Sequence, residues 1–179
     1  MAGPAFAGRR RRIGIAVSAL LVLTAFVLAA RNEGPDSPDA SPRLVDLEDL
    51  AALESSLGHP VYWAGRRPPD ELELTARTDG NVLVRYLPPG TEAGDPRQRY
   101  LTVGTYPVVD PVAALRRTAN QAGAELERMG GGAVALQNPS APGSAYLAEF
   151  GSTLQVEVYD PAPGRALKLI RSGAIGPVG

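Results

Sequence analysis

The hydrophobic positions of the chain fall into two regimes, one continuous block near the N-terminus and shorter periodic stretches after it. Residues 13–30 form 18 consecutive positions without a charged side chain. A helix needs roughly 20 such residues to cross the hydrocarbon core of a bilayer, so this block predicts a transmembrane helix. Beyond residue 43 the apolar residues recur every two, or every three to four, positions, as in strands and amphipathic helices. The pattern predicts one membrane segment followed by one exported domain, residues 44–179.

The flanks of the apolar block predict its orientation. Four consecutive arginines precede it: Arg9, Arg10, Arg11 and Arg12. Positive residues stay on the cytoplasmic side, so residues 1–12 are expected to be a cytoplasmic tail whose arginines set the topology rather than bind nucleic acid. The C-terminal domain is then expected outside a plasma membrane that the chain crosses once. A cleaved signal peptide is the alternative, because small residues end the block, and the domain would then be secreted.

Residues 31–43 have the composition of a linker. They combine three prolines with glycine, serine and acids, and such a segment cannot bury enough apolar surface to fold. In an extended conformation it reaches about 40 Å, which keeps a domain close to the outer leaflet. From residue 31 onward the chain has 14 basic and 19 acidic residues, a net charge of −5. We therefore do not expect it to adhere electrostatically to anionic lipid.

The first half of the exported domain predicts a helix from the N-cap Asp46 to Gly58, a short strand at 61–64 and a hairpin. Residues 71–77 and 82–86 alternate strictly around a turn that contains Gly80. A three-residue loop pairs Leu74 with Val84 and Glu73 with Arg85, which gives one apolar and one ion-paired face. Arg85 is thus expected to be the partner of Glu73 on the solvent face.

The second half of the exported domain predicts a similar mixture of helices and strands. Its expected elements are a strand at 100–106, a helix from Asp110 to about Arg128, a strand at 133–136, a hairpin of 146–150 with 154–159, and a short helix at 163–172. The fold class is therefore α+β, a mostly antiparallel sheet packed on one face by two to three helices. The order helix, short strand, hairpin occurs twice at an offset of 72 or 73 residues. This offset matches Val82, Val84 and Tyr86 with Leu154, Val156 and Val158, and it suggests an internal duplication.

The composition excludes several kinds of chemistry. The chain has no Cys and one His, so disulfides, thiol nucleophiles, Cys-based zinc sites and His-rich metal cages are ruled out. The imidazole, His59, lies between Gly58 and Pro60 with no G-x-S-x-G motif in the chain, and it is expected at a helix end. A pair of catalytic carboxylates is defined by spatial separation, which the sequence does not supply. No catalytic residue, metal or cofactor is predicted.

An aromatic cluster is the candidate binding site. Tyr and Trp are favoured at recognition surfaces, and Tyr62, Trp63 and Tyr86 fall in the same half of the domain with Arg66 just beyond Trp63. These four residues are the expected ligand-binding residues. The alternative is that Trp63 and Tyr86 are large core residues of a small sheet.

Three strings carry a resemblance to a known group: 61–65 (VYWAG), 84–88 (VRYLP) and 101–107 (LTVGTYP). They resemble anchored actinobacterial proteins of unknown activity that have a one-helix anchor and one exported domain. The resemblance covers most of residues 44–178, and it implies this topology but no chemistry. Together the features predict a membrane-anchored binding module for a protein or envelope partner. A small-molecule or lipid carrier and an envelope hydrolase that uses carboxylates are the alternatives.

Overall fold

The structure, a computed structural model, describes residues 41–138 and 140–179. The expected cytoplasmic tail with Arg9, Arg10, Arg11 and Arg12, the segment 13–30 and most of the linker lie outside the described residues. Within the part that the structure describes, no helix is both long and apolar enough to cross a membrane.

The described residues form three α-helices, ten strands and a short 3-10 helix at Gly130–Gly132. The helices are α1 (Leu47–Leu57), α2 (Pro111–Ala122) and α3 (Arg165–Arg171). The strands are β1 (Arg43–Val45), β2 (Tyr62–Trp63), β3 (Glu71–Ala76), β4 (Val82–Leu87), β5 (Thr102–Pro107), β6 (Glu127–Arg128), β7 (Ala133–Gln137), β8 (Ser144–Glu149), β9 (Leu154–Tyr159) and β10 (Gly176–Pro177).

Eight of these strands form one antiparallel sheet in the order β1-β3-β4-β5-β9-β8-β7-β6, and β2 pairs with β10 in a separate ribbon. The expected α+β class with a mostly antiparallel sheet is confirmed. Strand β1 was not predicted, because it begins at Arg43, the last residue assigned to the linker. The short ribbon strand β10 was not predicted either.

The first hairpin has the register that the alternation predicts. Leu74 pairs with Val84, and Glu73 pairs with Arg85. The amide of Gly80 donates to the carbonyl of Arg77 at 3.1 Å, and Gly80 has a φ of 83°. This left-handed conformation favours glycine, so the turn residue and the face pattern together fix the register.

The environment of the Glu73–Arg85 pair differs from the expectation. Glu73 is 1% exposed, because the loop between β4 and β5 folds over this face of the sheet. Glu73 Oε1 accepts from Arg85 Nη1 at 2.7 Å, and its Oε2 accepts from the Gly94 amide at 2.6 Å. Arg85 Nη2 also donates to the carbonyl of Asp95 at 2.7 Å. The predicted partner is right, but the predicted solvent face is wrong.

Helices cover both faces of the sheet rather than one. We call the face that carries Leu74, Val84 and Val158 the α1 face, because Leu50 of α1 joins its core cluster. Helix α3 joins the same cluster through Ala166 and Ile170. The opposite face carries Glu73, Tyr146 and Glu157, and its buried residues include Val134, Leu136 and Ala148 on β7 and β8. Helix α2 packs on these two strands with Val112, Leu115 and Ala119 buried, so we call it the α2 face.

The helix ends confirm one prediction and correct another. The Asp46 side chain accepts from the Asp49 amide at 2.9 Å, and Gly58, with a φ of 69°, follows the last residue of α1. Helix α2 begins after Asp110 as predicted but ends at Ala122 rather than near Arg128. Gly123 adopts a left-handed conformation there, with a φ of 64°. Of the residues assigned to the last turns, only Glu127 and Arg128 form strand β6.

The strand order revises the internal similarity. Strands β3-β4-β5 and β7-β8-β9 are two three-stranded meanders that join through β5 and β9. In chain order, β3, β4 and β5 of the first meander correspond to β7, β8 and β9 of the second. The counterpart of β9 is therefore β5, and that of β4 is β8. The match of Val82 with Leu154 is therefore displaced by one strand. The duplication itself stays a prediction.

Candidate functional site: a groove beside helix α1

A groove of about 360 Å³ lies where α1 gives way to β2. The left-handed Gly58 ends the helix and turns the chain through His59 and Pro60 into the strand. The groove therefore has one wall from the last turns of α1 and another from this connection. Its lining residues are Ala51, Glu54, Ser55, Gly58, His59, Pro60 and Gly179.

Two carboxylates act on the hydroxyl of Tyr62, one through a hydrogen bond and one through its charge. Tyr62 is 8% exposed, and its hydroxyl donates to Glu149 Oε1 at 3.3 Å. Burial, followed by the negative charge of Glu149 and then that of Glu54, raises the pKa of Tyr62 to about 12. The tyrosine therefore remains protonated at neutral pH, where it serves as a hydrogen-bond donor.

Glu54 has an unpartnered carboxylate oxygen in the groove wall. Its Oε2 is buried and has no hydrogen-bond partner among the described residues. Over the same part of the chain, neither Glu54 nor Glu149 forms an ion pair with an arginine or lysine. Leaving a buried polar atom unsatisfied costs about 1–3 kcal/mol, and more when the group is charged. A donor that entered the groove would relieve this cost, and a positively charged donor would also neutralise the carboxylates.

His59 lines the groove but is not placed as a base within it. Its Nδ1 lies 2.9 Å from the carbonyl oxygen of Pro60. Since a carbonyl oxygen only accepts, this contact assigns the tautomer in which Nδ1 donates. Its Nε2 is buried without a hydrogen-bond partner and lies 3.3 Å from the position that a Cβ on Gly80 would occupy. The free nitrogen thus faces the β3–β4 turn. Among the described residues, no group of three or more His, Cys, Asp or Glu side chains could hold a metal ion.

The structure brings three of the four predicted ligand residues together, but within the core. Tyr62 and Tyr86 belong to the core cluster of the α1 face, and Trp63 packs against it partly buried. The Tyr86 hydroxyl accepts from the Ala64 amide at 2.7 Å and donates to the Gly65 carbonyl at 3.1 Å. Arg66 is exposed. The aromatic residues thus hold the β2 segment against the sheet, and Tyr62 is the one whose hydroxyl reaches the acids beside the groove.

Sequence reasoning missed Glu54 and Glu149, and it had only a weak signal for either. Glu54 lies next to Leu53 at the border of the apolar stripe of α1. Glu149 is the last residue of β8, after an apolar run. An acid at the border of an apolar face is normally solvated. Only the fold shows that the end of α1 and the end of β8 meet at Tyr62.

A second polar cluster lies on the α2 face. Glu157 is 6% exposed, and the side chains of Ser144, Tyr146 and Tyr106 hydrogen-bond to its carboxyl group. Burial raises the pKa of Glu157 to about 7, although these hydrogen bonds oppose the rise. A methyl group on Gly104 would overlap the ring of Tyr106, so glycine permits this ring to lie across the strand toward Glu157. Within the part of the chain that the structure describes, the carboxyl group has neutral donors and no cation as partners.

No protein-family model, curated protein or solved structure matches this chain. The resemblance to anchored actinobacterial proteins stays a prediction.

Proposed function

We propose that this protein is a membrane-anchored, extracytoplasmic binding module whose α1 groove takes the positively charged end of a ligand. The anchor is residues 13–30, the domain outside is residues 44–179, and the ligand belongs to an envelope component or a partner protein. The observation that carries the proposal is that Glu54, which lines the groove, has a buried Oε2 without a hydrogen-bond partner among the described residues.

The charge around the groove favours an organic cation over an anion. Glu54 and Glu149 both act on the Tyr62 hydroxyl, and opposite charges in partly desolvated sites attract more strongly than in water. An ammonium group supplies three donors and a guanidinium five, so either satisfies the free oxygen of Glu54 and leaves donors for other acceptors. The groove, of about 360 Å³, has room for one ammonium or guanidinium group on a short aliphatic stem.

The core placement of Trp63 and Tyr86 supports this site over a carrier pocket. Tyr86 is 2% exposed, and backbone groups of Ala64 and Gly65 occupy its hydroxyl. A pocket between sheet and helix would need polar groups free to orient a ligand. Glu157 is the carboxyl group that favours the hydrolase alternative, but its 6% exposure and its neutral hydrogen-bond partners suit a buried structural role better.

The binding test uses three probes that share one stem, namely n-butylammonium, n-butanol and butyrate. The full chain in detergent micelles is titrated with each while the fluorescence of Trp63, the lone tryptophan, is recorded. This residue adjoins Tyr62 and reports on the β2 segment. We expect saturable binding of butylammonium alone, and loss of that binding in Glu54→Gln. Equal responses to all three probes would contradict the proposal.

A matched variant and an extraction complete the test. Glu48 lies exposed on the same helix outside the groove, so Glu48→Gln is expected to keep wild-type binding. The anchor is tested by washing vesicles that contain the full chain at alkaline pH, which removes peripheral proteins but not spanning ones. Release of the uncleaved chain would contradict anchoring and leave the groove result standing.

A further inference from the structure

Two large apolar side chains project from one end of the sheet. Val109 is 92% exposed in the loop after β5, and Phe150 is 62% exposed in the turn between β8 and β9. The Val108 amide donates to the Thr153 carbonyl at 2.8 Å, which joins the two loops. We call this end, with residues 77–81, 108–110 and 150–153, the hairpin end.

The opposite end differs in composition. Its loops are 88–101, 138–143 and 160–164. Among the described residues of these loops, no large apolar side chain is exposed. Exposed apolar residues are ordinary when they are scattered singly, but here both loop residues of this kind lie at one end.

The chain enters the domain at that same end. Strand β1 is antiparallel to β3, with Arg43 opposite Leu74 and Val45 opposite Leu72. Since β3 runs toward the turn at 77–81, β1 begins on the side of the hairpin end. A linker of residues 31–43 spans about 40 Å when it is extended.

We propose that Val109 and Phe150 contact the lipid surface to which the chain is tethered. This inference rests on the anchor in the proposed function. Since β1 begins on that side, the tether joins the domain at the hairpin end, and transfer of a phenylalanine and a valine from water to lipid is favourable. The exported part has a net charge of −5, so the contact is apolar and gains nothing from anionic lipid.

The absence of cysteine allows a site-specific test on the full chain. Phe150→Cys, Val109→Cys and, at the opposite end, Ala162→Cys are each labelled with an environment-sensitive fluorophore; all three positions are exposed. Each protein is reconstituted into phosphatidylcholine vesicles with and without phosphatidylglycerol. Lipid that carries a nitroxide on its acyl chain then quenches labels that touch the bilayer.

We expect several-fold stronger quenching at positions 150 and 109 than at 162, with no dependence on phosphatidylglycerol. Equal, weak quenching at all three positions in protein that resists alkaline extraction would overturn the lipid contact but not the anchor. Release of the protein by alkaline extraction would overturn both. Shielding of positions 150 and 109 that depends on protein concentration but not on nitroxide lipid would identify a second copy as the occupant and overturn the proposal.

Discussion

The acidic residues at the loop between β4 and β5 and those beside the α1 groove differ in whether they have cationic partners. Under the loop, Glu73 pairs with Arg85, and hydrogen bonds from Arg97 hold the pKa of Asp95 well below its usual range. Beside the groove, Glu54 and Glu149 have no cationic partner among the described residues. Acids that pair with cations of the fold stabilise the fold, whereas acids without a cationic partner can accept one from a ligand. Under the proposed function, the first region has a structural role and the second a binding role.

The largest expected effect comes from breaking the pair under the loop. Arg85→Met leaves the carboxylate of Glu73 buried at 1% exposure without its cation, and removal of one partner of a buried pair costs roughly 3–5 kcal/mol. Urea unfolding of the full chain in micelles measures this loss. The double variant Glu73→Gln with Arg85→Met removes both charges and is expected to be more stable than the single variant. A loss below about 1 kcal/mol in the single variant would contradict the structural role.

Glu157 sharpens the comparison because it is buried with neutral donors instead of a cation. Its pKa rises from 4.5 to about 7 on folding, so folding favours the protonated form. The contribution of Glu157 to the free energy of unfolding is therefore largest below pH 4.5 and falls by about 3 kcal/mol as the pH rises through 7. In Glu157→Gln this part of the pH dependence is expected to disappear. The difference between the two unfolding profiles measures it, and parallel profiles would contradict the assignment.

Tyr62 tests the link between the groove and the core. Tyr62→Phe keeps the buried ring but removes the hydroxyl that donates to Glu149 at 3.3 Å. Since Glu149 is partly exposed, water replaces this donor, and we expect a loss of about 1 kcal/mol or less. Thermal unfolding of the full chain measures the change. A loss as large as that of Arg85→Met would mean that this acid cluster is structural.

Glu54→Gln is expected to have the smallest effect on stability. The substitution removes a charge that no described cation compensates, so the free energy of unfolding stays the same or rises by about 0.5 kcal/mol. Urea unfolding of the variant and the wild type measures this directly. A clear decrease would show that Glu54 supports the fold and would weaken the case for a binding role.

Local patterns predicted the parts of the fold that local energetics determine. Helix α1 was predictable because Asp46 and Gly58 mark its ends, and the β3–β4 register was predictable because only one pairing separates apolar from charged residues. Helix α2 was extended to Arg128 because Leu126 continues its apolar period, whereas the left-handed Gly123 ends it earlier. Alternation along a strand shows which residues share a face, but it does not show what covers that face.

The same reasoning explains what was missed at the site. Alternation in β9 places Glu157 on the other face of the sheet from Val156 and Val158. Glu157 is buried because α2 packs on that face. Tyr62, Trp63 and Tyr86 lie in or against one core cluster, and their role in ligand binding stays a prediction. Their relation to Glu54 and Glu149 depends on contacts between α1, β2 and β8, which are distant in the sequence.

Whether Glu54 holds the cationic end of a ligand can be measured through the stability that binding adds to the protein. The free energy of unfolding of the full chain is measured with and without n-butylammonium, for the wild type and for Glu54→Gln. A ligand at 100 times its Kd adds about 2.7 kcal/mol to the stability of the protein that binds it. We predict that the wild type gains stability as the probe concentration rises and that Glu54→Gln gains none. Equal gains in both proteins, or none in either, would contradict the account.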